Sequence, residues 1–125
     1  MSCEERLDLV AYAGLAFDVM LKEPIAEGVY RSFADFEFLM QVRPYAGSGT
    51  VIAEFSTADG SITIEGDELE EIHIHLSASE TADLEPGTYV FDLVHWQETN
   101  RDDATSYLNG AGRFIVRNSV TEAFA

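Results

Sequence analysis

The chain has 125 residues, of which 46% are hydrophobic and 11% aromatic, enough apolar material for one packed core. Seven basic and 23 acidic side chains give a formal net charge of −16, which argues against general binding to nucleic acid or anionic lipid. No apolar run reaches the ~18 residues of a membrane helix, and MSCEERLDL lacks the order of a signal peptide. We therefore expect a single soluble domain over residues 1–125, with an extended N-terminal arm (1–6), a C-terminal tail (117–125), and no nucleic-acid or membrane partner.

Short segments of alternating apolar and polar side chains follow one another along the chain, separated by Gly, Pro and Asp. Side chains alternate between the two faces of a β-strand, so each of these segments predicts a strand. The predicted strands cover Leu7–Tyr12, Phe17–Leu21, Phe36–Arg43, Val51–Phe55, Ser61–Ile64, Glu71–Leu76, Tyr89–Trp96 and Gly110–Val116. Seven or eight short strands at this spacing predict an all-β, antiparallel sandwich.

One segment, Ser77–Asp83, interrupts the alternation. Ser77 is followed three residues later by Glu80, which is the spacing of a capping box, so the segment predicts one short helical turn. Pro86 and Gly87 end it. We expect this turn to carry the chain from one sheet of the sandwich to the other.

The strand in LEPGTYVFDLVHW is apolar on both of its faces. One face carries Tyr89, Phe91, Leu93 and His95, and the other carries Val90, Asp92, Val94 and Trp96. Because one face fills the core, the apolar side chains of the other face must be buried by a second protein or by another segment of the chain. Val90, Val94 and Trp96 are the candidates for a protein interface, with the indole of Trp96 near its centre. The alternative is that the N-terminal arm or the segment Asp18–Phe33 covers them within the same chain.

The chemistry-bearing residues predict neither catalysis nor a metal or cofactor. His73 and His75 share one strand face, but that face points outward and no third ligand is identifiable. His95 is expected at the edge of the core. Sequence motifs for a nucleophilic serine or a phosphate-binding loop are missing. The single Cys3 excludes an intramolecular disulfide and leaves a disulfide between chains open.

The passage from the helical turn into the next strand resembles a corner of immunoglobulin-like domains. In that corner a tyrosine follows a short helical turn and stands two residues before a core position. Here Glu80–Asp83 supplies the turn, and Tyr89 stands two residues before Phe91. Phe91 occupies the slot that holds a cysteine in antibody domains, so no disulfide between the sheets is implied.

The order of the elements from Phe36 to Thr121 resembles that of small β-sandwich structural proteins of tailed bacteriophages. Baseplate and tail components have similar folds, for example the N-terminal domain of the upper baseplate protein of lactococcal phages. The matching pieces are Met40–Arg43, Val51–Ser56, Gly60–Ile64, Ile72–Thr81, Gly87–Leu93, Gly112–Val116 and Ser119–Thr121.

This resemblance implies a non-enzymatic virion subunit of the tail, baseplate or neck, assembled in the host cytoplasm. Its partners would be other virion structural proteins and copies of itself, with repeated contacts in the particle. A capsid decoration protein is an alternative. From a different class comes a carbohydrate- or receptor-binding module, in which the exposed aromatic residues Tyr45, Trp96 or Tyr107 stack on sugars.

Overall fold

The computed structural model describes residues 8–106 and 112–118, which form eleven strands and one short helix. The elements are β1 (Asp8–Ala13), β2 (Phe17–Leu21), β3 (Pro24–Ala26), β4 (Val29–Tyr30), β5 (Phe36–Arg43), β6 (Ala53–Ser56), β7 (Ile62–Glu65), β8 (Glu71–Leu76), α1 (Ala78–Ala82), β9 (Gly87–Gln97), β10 (Asn100–Ser106) and β11 (Gly112–Asn118).

The strands form two main sheets and a separate hairpin. The large sheet has the order β1-β11-β9-β5-β6. The strand β10 also pairs with β9, along the part of β9 that extends past its pairing with β11. The small sheet has the order β2-β8-β7, and β3 pairs with β4 alone. Neighbouring strands are antiparallel except β1 and β11, which run parallel.

The core lies between the two sheets, where the inward-facing side chains of each strand meet. Phe17 from the small sheet packs edge-on against Phe114 from the large sheet, with ring centroids 5.4 Å apart. Phe55 lies close to both rings. Alternate residues of β9, Phe91 and Leu93, are buried in the same cluster. The alternation in the sequence therefore predicts the inward face of these strands correctly.

The helix α1 connects the small sheet to the large sheet, as predicted. Ser77 accepts a hydrogen bond from the backbone of Glu80, and the Glu80 side chain accepts one from Ser77, which completes the capping box. Thr81 is fully buried. Its hydroxyl donates to the carbonyl oxygen of Leu15 at 2.7 Å and accepts from the N–H of Gly14 at 3.1 Å. The helix thus stabilises the turn through which the chain leaves β1 for β2.

The architecture is an immunoglobulin-like β-sandwich. Its three-stranded and six-stranded sheets have the strand order of that fold, with β6 added beside β5 as in variable-type domains. The tyrosine corner is present, because the Tyr89 hydroxyl donates a 2.7 Å hydrogen bond to the carbonyl oxygen of Glu85. Phe91 occupies the expected core position.

Three details of the sequence-based assignment are wrong. The described residues contain more than seven or eight strands, because the hairpin β3–β4 and the strand β10 were not predicted. The alternation predicts no strand between Trp96 and Gly110, yet β10 begins at Asn100 and pairs with β9. The C-terminal tail does not begin at 117, because Arg117 and Asn118 pair with β1. The arm 1–6 and residues 119–125 lie outside the described residues. Within the described ranges, no helix has the length and apolar character required to cross a bilayer.

Candidate functional site

The large sheet presents one surface to the core and the opposite surface to the outside, which we call the outer face. It consists of the outward-pointing side chains of five strands, identified by the alternation of buried and accessible positions. These residues are Asp8, Val10, Tyr12, Glu37, Leu39, Gln41, Arg43, Glu54, Thr88, Val90, Asp92, Val94, Arg113, Ile115 and Arg117.

The strand register places the residues of β5 and β9 opposite each other across the middle of this face. Leu39 lies opposite Val94, and Gln41 lies opposite Asp92. Val90 lies between two arginines, Arg43 on β5 and Arg113 on β11. Side chains that lie opposite each other on one face are in contact range, so this register brings apolar and charged groups together.

A concave cavity of about 470 Å³ opens on the outer face between β5, β9 and the loop that follows β5. Leu39, Val90 and Val94 supply apolar lining. Arg43 forms part of the wall, and its guanidinium donates to the Gln41 side-chain oxygen at 2.7 Å and to the carbonyl oxygen of Ser48. These hydrogen bonds hold the loop against the sheet, so the cavity has a fixed rim on that side.

The apolar surface continues from the cavity toward the edge strand β1. Val10 is 38% exposed and Tyr12 is 46% exposed, and both point outward. Ile115 lies opposite Val10 on the neighbouring strand. A surface on which apolar side chains alternate with a few charged ones is typical of the centre and rim of protein interfaces.

The charges on the outer face are of two kinds, paired and unpaired. Arg113 donates two hydrogen bonds to the Asp8 carboxylate, at 3.1 and 2.6 Å, and the side-chain hydrogen bonds with Asp8 raise the pKa of Arg113. The Gln41 amide donates to Glu54 at 2.8 Å. Among the described residues neither Asp92 nor Arg117 takes part in an ion pair or a side-chain hydrogen bond.

The three interface candidates predicted from the sequence have different surroundings. Val90 and Val94 line the cavity. Trp96 is only 8% exposed, because its indole N–H donates to Glu37 at 3.2 Å and the Arg101 guanidinium lies 4.8 Å from the ring centroid. The prediction of an exposed Trp96 is therefore wrong, and its role in a contact between subunits stays a prediction.

The sequence left open the alternative that the segment Asp18–Phe33 of the same chain covers the outward face of β9. Residues 18–33 contribute no side chain to the cavity lining. Phe33, at the end of that segment, packs on the inward side of β9, with its ring centroid 6.3 Å from that of His95. This segment therefore does not cover Val90 and Val94, which remain half-exposed.

The paired histidines of β8 lie on the outward side of the small sheet, as predicted. His75 is 2.6 Å from the Asp18 carboxylate, and His73 is 2.8 Å from Glu71. Each imidazole therefore contacts a carboxylate, and within residues 8–106 and 112–118 no three metal-ligating side chains come together. The arrangement of these histidines is that of polar pairs on a solvated surface.

His95 is buried at the edge of the core, as predicted, among the rings of Phe33, Phe36 and Phe38. Burial lowers the pKa of His95 below its ordinary value of 6.5, and the nearby positive charge of Arg31 lowers it further. Arg31 itself stacks over the rings of Phe33 and Phe36. The neutral imidazole is therefore the form that the fold accommodates.

Of the remaining aromatic candidates for sugar binding, Tyr45 is 65% exposed, and it lies next to the loop that lines the cavity. Tyr107 and Cys3 lie outside the described residues. The sequence did not indicate that Leu39, Gln41 and Arg43 share the cavity with Val90 and Val94. Alternation alone gives the face of each strand but not the neighbour with which it pairs.

Solved structures with immunoglobulin-like domains are similar to most of the chain. The natural killer cell receptor Nkp44 is 15% identical, with coverage of 92% of this chain and 99% of that chain and a TM-score of 0.43. Murine CRIg is 6% identical, with coverage of 90% and 92% and a TM-score of 0.42. The ZIG-8–RIG-5 IG1–IG1 heterodimer is 13% identical, with coverage of 90% and 82% and a TM-score of 0.39. No protein-family model matches the chain, and no curated protein sequence matches it either.

Proposed function

We propose that the protein is a non-enzymatic structural subunit that works by binding other proteins through its outer face. The observation that carries this proposal is the cavity between β5 and β9, in which Leu39, Val90 and Val94 form an apolar part of the lining. A cavity of this size on a sheet face gives a partner's side chains a concave apolar surface to fill, which is where contact residues contribute most.

The chemistry of the cavity favours a protein partner over a small-molecule substrate. Its polar side chains are Gln41, Arg43, Ser48 and Asp92, and the arginine is held by hydrogen bonds to the glutamine and to the serine carbonyl. A buried imidazole or thiol is not among the lining residues. The surface beyond it, with exposed Val10 and Tyr12, extends the apolar area across several strands, as a protein contact requires.

For the biological setting we propose the virion of a tailed bacteriophage, at the tail, baseplate or neck. This part of the proposal is supported by the resemblance of the segments from Phe36 to Thr121 to phage structural sandwiches. Capsid decoration would use the same kind of contact. The sugar-binding alternative retains the exposed Tyr45 but loses Trp96, whose ring is covered by Arg101.

The test is incorporation of variants into particles. The protein is produced together with the other structural proteins, and the amount of each variant in purified particles is compared with the wild type. Val90→Glu places a larger, charged side chain in the lining of the cavity, and we expect at least a ~10-fold loss of incorporation, equivalent to about 1.4 kcal/mol of binding.

The matched control is Met20→Glu, which adds the same charge at an accessible position on the outward side of the small sheet. We expect this variant to enter particles as the wild type does. Both variants should unfold cooperatively at a similar denaturant concentration. Equal incorporation of the two variants would contradict the proposed role of the outer face.

A further inference from the structure

We propose that the outer face pairs with the outer face of a second copy of the same chain, across a two-fold axis. This inference rests on the proposed function, because it names the partner of the same surface. In the pair, the Asp92 side chain of each copy lies close to the Arg117 side chain of the other, which gives two equivalent contacts. The apolar side chains around Val90 pack between them.

The distribution of charge identifies where two copies can approach each other. Each chain carries a net charge of −16, so most of its surface repels a second copy. The outer face is the exception, with three of the seven basic side chains and four of the 23 acidic ones. The basic residues are Arg43, Arg113 and Arg117, and the acidic ones are Asp8, Glu37, Glu54 and Asp92. Contacts between copies are therefore least opposed by charge on this face.

Two of these charges carry the specific pairing. Within residues 8–106 and 112–118, Asp92 and Arg117 make no ion pair, whereas Arg113 binds Asp8 through two hydrogen bonds. An unpaired carboxylate and an unpaired guanidinium on one surface, where the other charged side chains that the structure describes include the bound pair of Arg113 and Asp8, are complementary to a second copy of that surface.

The positions of the two charges satisfy the geometry of a two-fold pair. Val90 lies opposite Arg113 in the register of β9 and β11. Asp92 lies two residues from Val90 toward one end of β9, and Arg117 lies four residues from Arg113 toward the opposite end of the face. A two-fold axis that lies between the two faces, parallel to the sheets and across the strands near Val90, exchanges these two ends, and so directs each Asp92 toward the partner's Arg117.

The experiment measures the mass of the purified full-length chain by sedimentation equilibrium over a range of protein concentrations. We expect the wild type to form dimers and to dissociate as salt is raised. Asp92→Arg places like charges opposite each other, and so does Arg117→Asp, so each single variant should associate at least ~10-fold more weakly.

The decisive sample is an equimolar mixture of the two single variants. In the mixed pair every changed residue faces an opposite charge, so the mixture should form dimers although each component alone does not. The double variant, Asp92→Arg with Arg117→Asp, should also recover self-association. A matched control, Asp18→Arg, changes the net charge by the same amount on the outward side of the small sheet and should dimerise as the wild type does.

The outcomes separate this inference from the proposed function. A wild type that stays monomeric up to about 1 mM would overturn the self-pairing. So would single variants that dimerise like the wild type, or a mixture that fails to recover dimers. If self-pairing fails in this way while Val90→Glu still prevents incorporation into particles, the outer face binds a different protein. Normal incorporation of Val90→Glu would contradict the proposed function itself.

Discussion

The outward sides of the two sheets are built differently, although both belong to one sandwich. On the small sheet, the charged side chains of β2, β7 and β8 contact each other, as in His75 with Asp18 and His73 with Glu71 and Glu65. On the large sheet, apolar side chains surround a cavity, and Asp92 has no such partner among the described residues. A surface whose charges are paired locally is suited to water, whereas an apolar surface with an unpaired charge is suited to a partner.

Both sides of the large sheet carry apolar side chains, but only one side is buried by the small sheet. Its inward side is buried by the small sheet of the same chain, and its outward side has no such cover from the described residues. The strand β9 belongs to both, because Phe91 and Leu93 are buried while Val90 and Val94 remain half-exposed. Substitutions along this one strand can separate folding from binding.

The largest effect is expected on the inward side of β9. Phe91→Ala removes a buried ring and should lower the free energy of unfolding by ~3–5 kcal/mol, measured by denaturant titration. Val90→Ala, one residue away on the outward side, should cost no more than ~1 kcal/mol in the isolated chain. Equal losses for the two variants would show that Val90 is part of the core.

A pH titration of stability distinguishes the buried His95 from a solvated histidine. Its pKa is lowered in the folded state, so as the pH falls below 6.5 the unfolded chain takes up a proton before the folded one does. Stability should be independent of His95 above this pH and should decline below it, by at most about 1.4 kcal/mol per pH unit, until the folded-state pKa is reached.

The matched variant His95→Gln removes this titration, so its stability should change less between pH 7 and 5.5 than that of the wild type. The comparison uses the slope with pH and not the absolute stability, which the substitution also changes. Parallel pH profiles for the two proteins would show that His95 is not the group that responds.

A smaller effect is expected at the tyrosine corner. Tyr89→Phe keeps the ring and removes the hydroxyl that donates to the Glu85 carbonyl, so the free energy of unfolding should fall by ~1 kcal/mol. Self-association should stay unchanged, because this side chain belongs to the inward side of β9. A loss of association without a loss of stability would place Tyr89 in the contact.

The smallest effect is expected on the outward side of the small sheet. Asp18→Asn removes the charge that faces His75, and because both side chains are exposed, the loss of stability should stay below ~0.5 kcal/mol in thermal or denaturant unfolding. A loss well above this value would mean that the ion pairs of this surface stabilise the fold and do not simply solvate it.

Most of the strands could be predicted from the sequence, but some could not. Regular alternation gave the bounds of β5 and β8 within the described chain, and the spacing of Ser77 and Glu80 gave the helix. The strand β10 and the hairpin β3–β4 were missed because their residues do not alternate. Asn100–Ser106 is mostly polar and is a strand because β9 offers it a free edge.

The sequence predicted only part of the candidate site, because alternation within a strand gives the direction of its side chains but not the strand beside it. The outward direction of Val90 and Val94 follows from the period of the strand, and it was predicted correctly. The cover over Trp96 comes from Arg101, on the missed strand β10, so no pattern within β9 could reveal it. The cavity likewise needs the pairing of β5 with β9, which is a property of the fold.

The most direct test of the outer face as a contact surface is a comparison of thiol labelling rates in the assembled and dissociated protein. In a Cys3→Ser background, Val90→Cys and Met20→Cys each introduce one thiol, on the outward sides of the large and small sheets respectively. We expect assembly to slow labelling at position 90 by at least ~10-fold and to leave the rate at position 20 unchanged. Equal labelling at position 90 in both states, or protection at position 20 alone, would contradict the account.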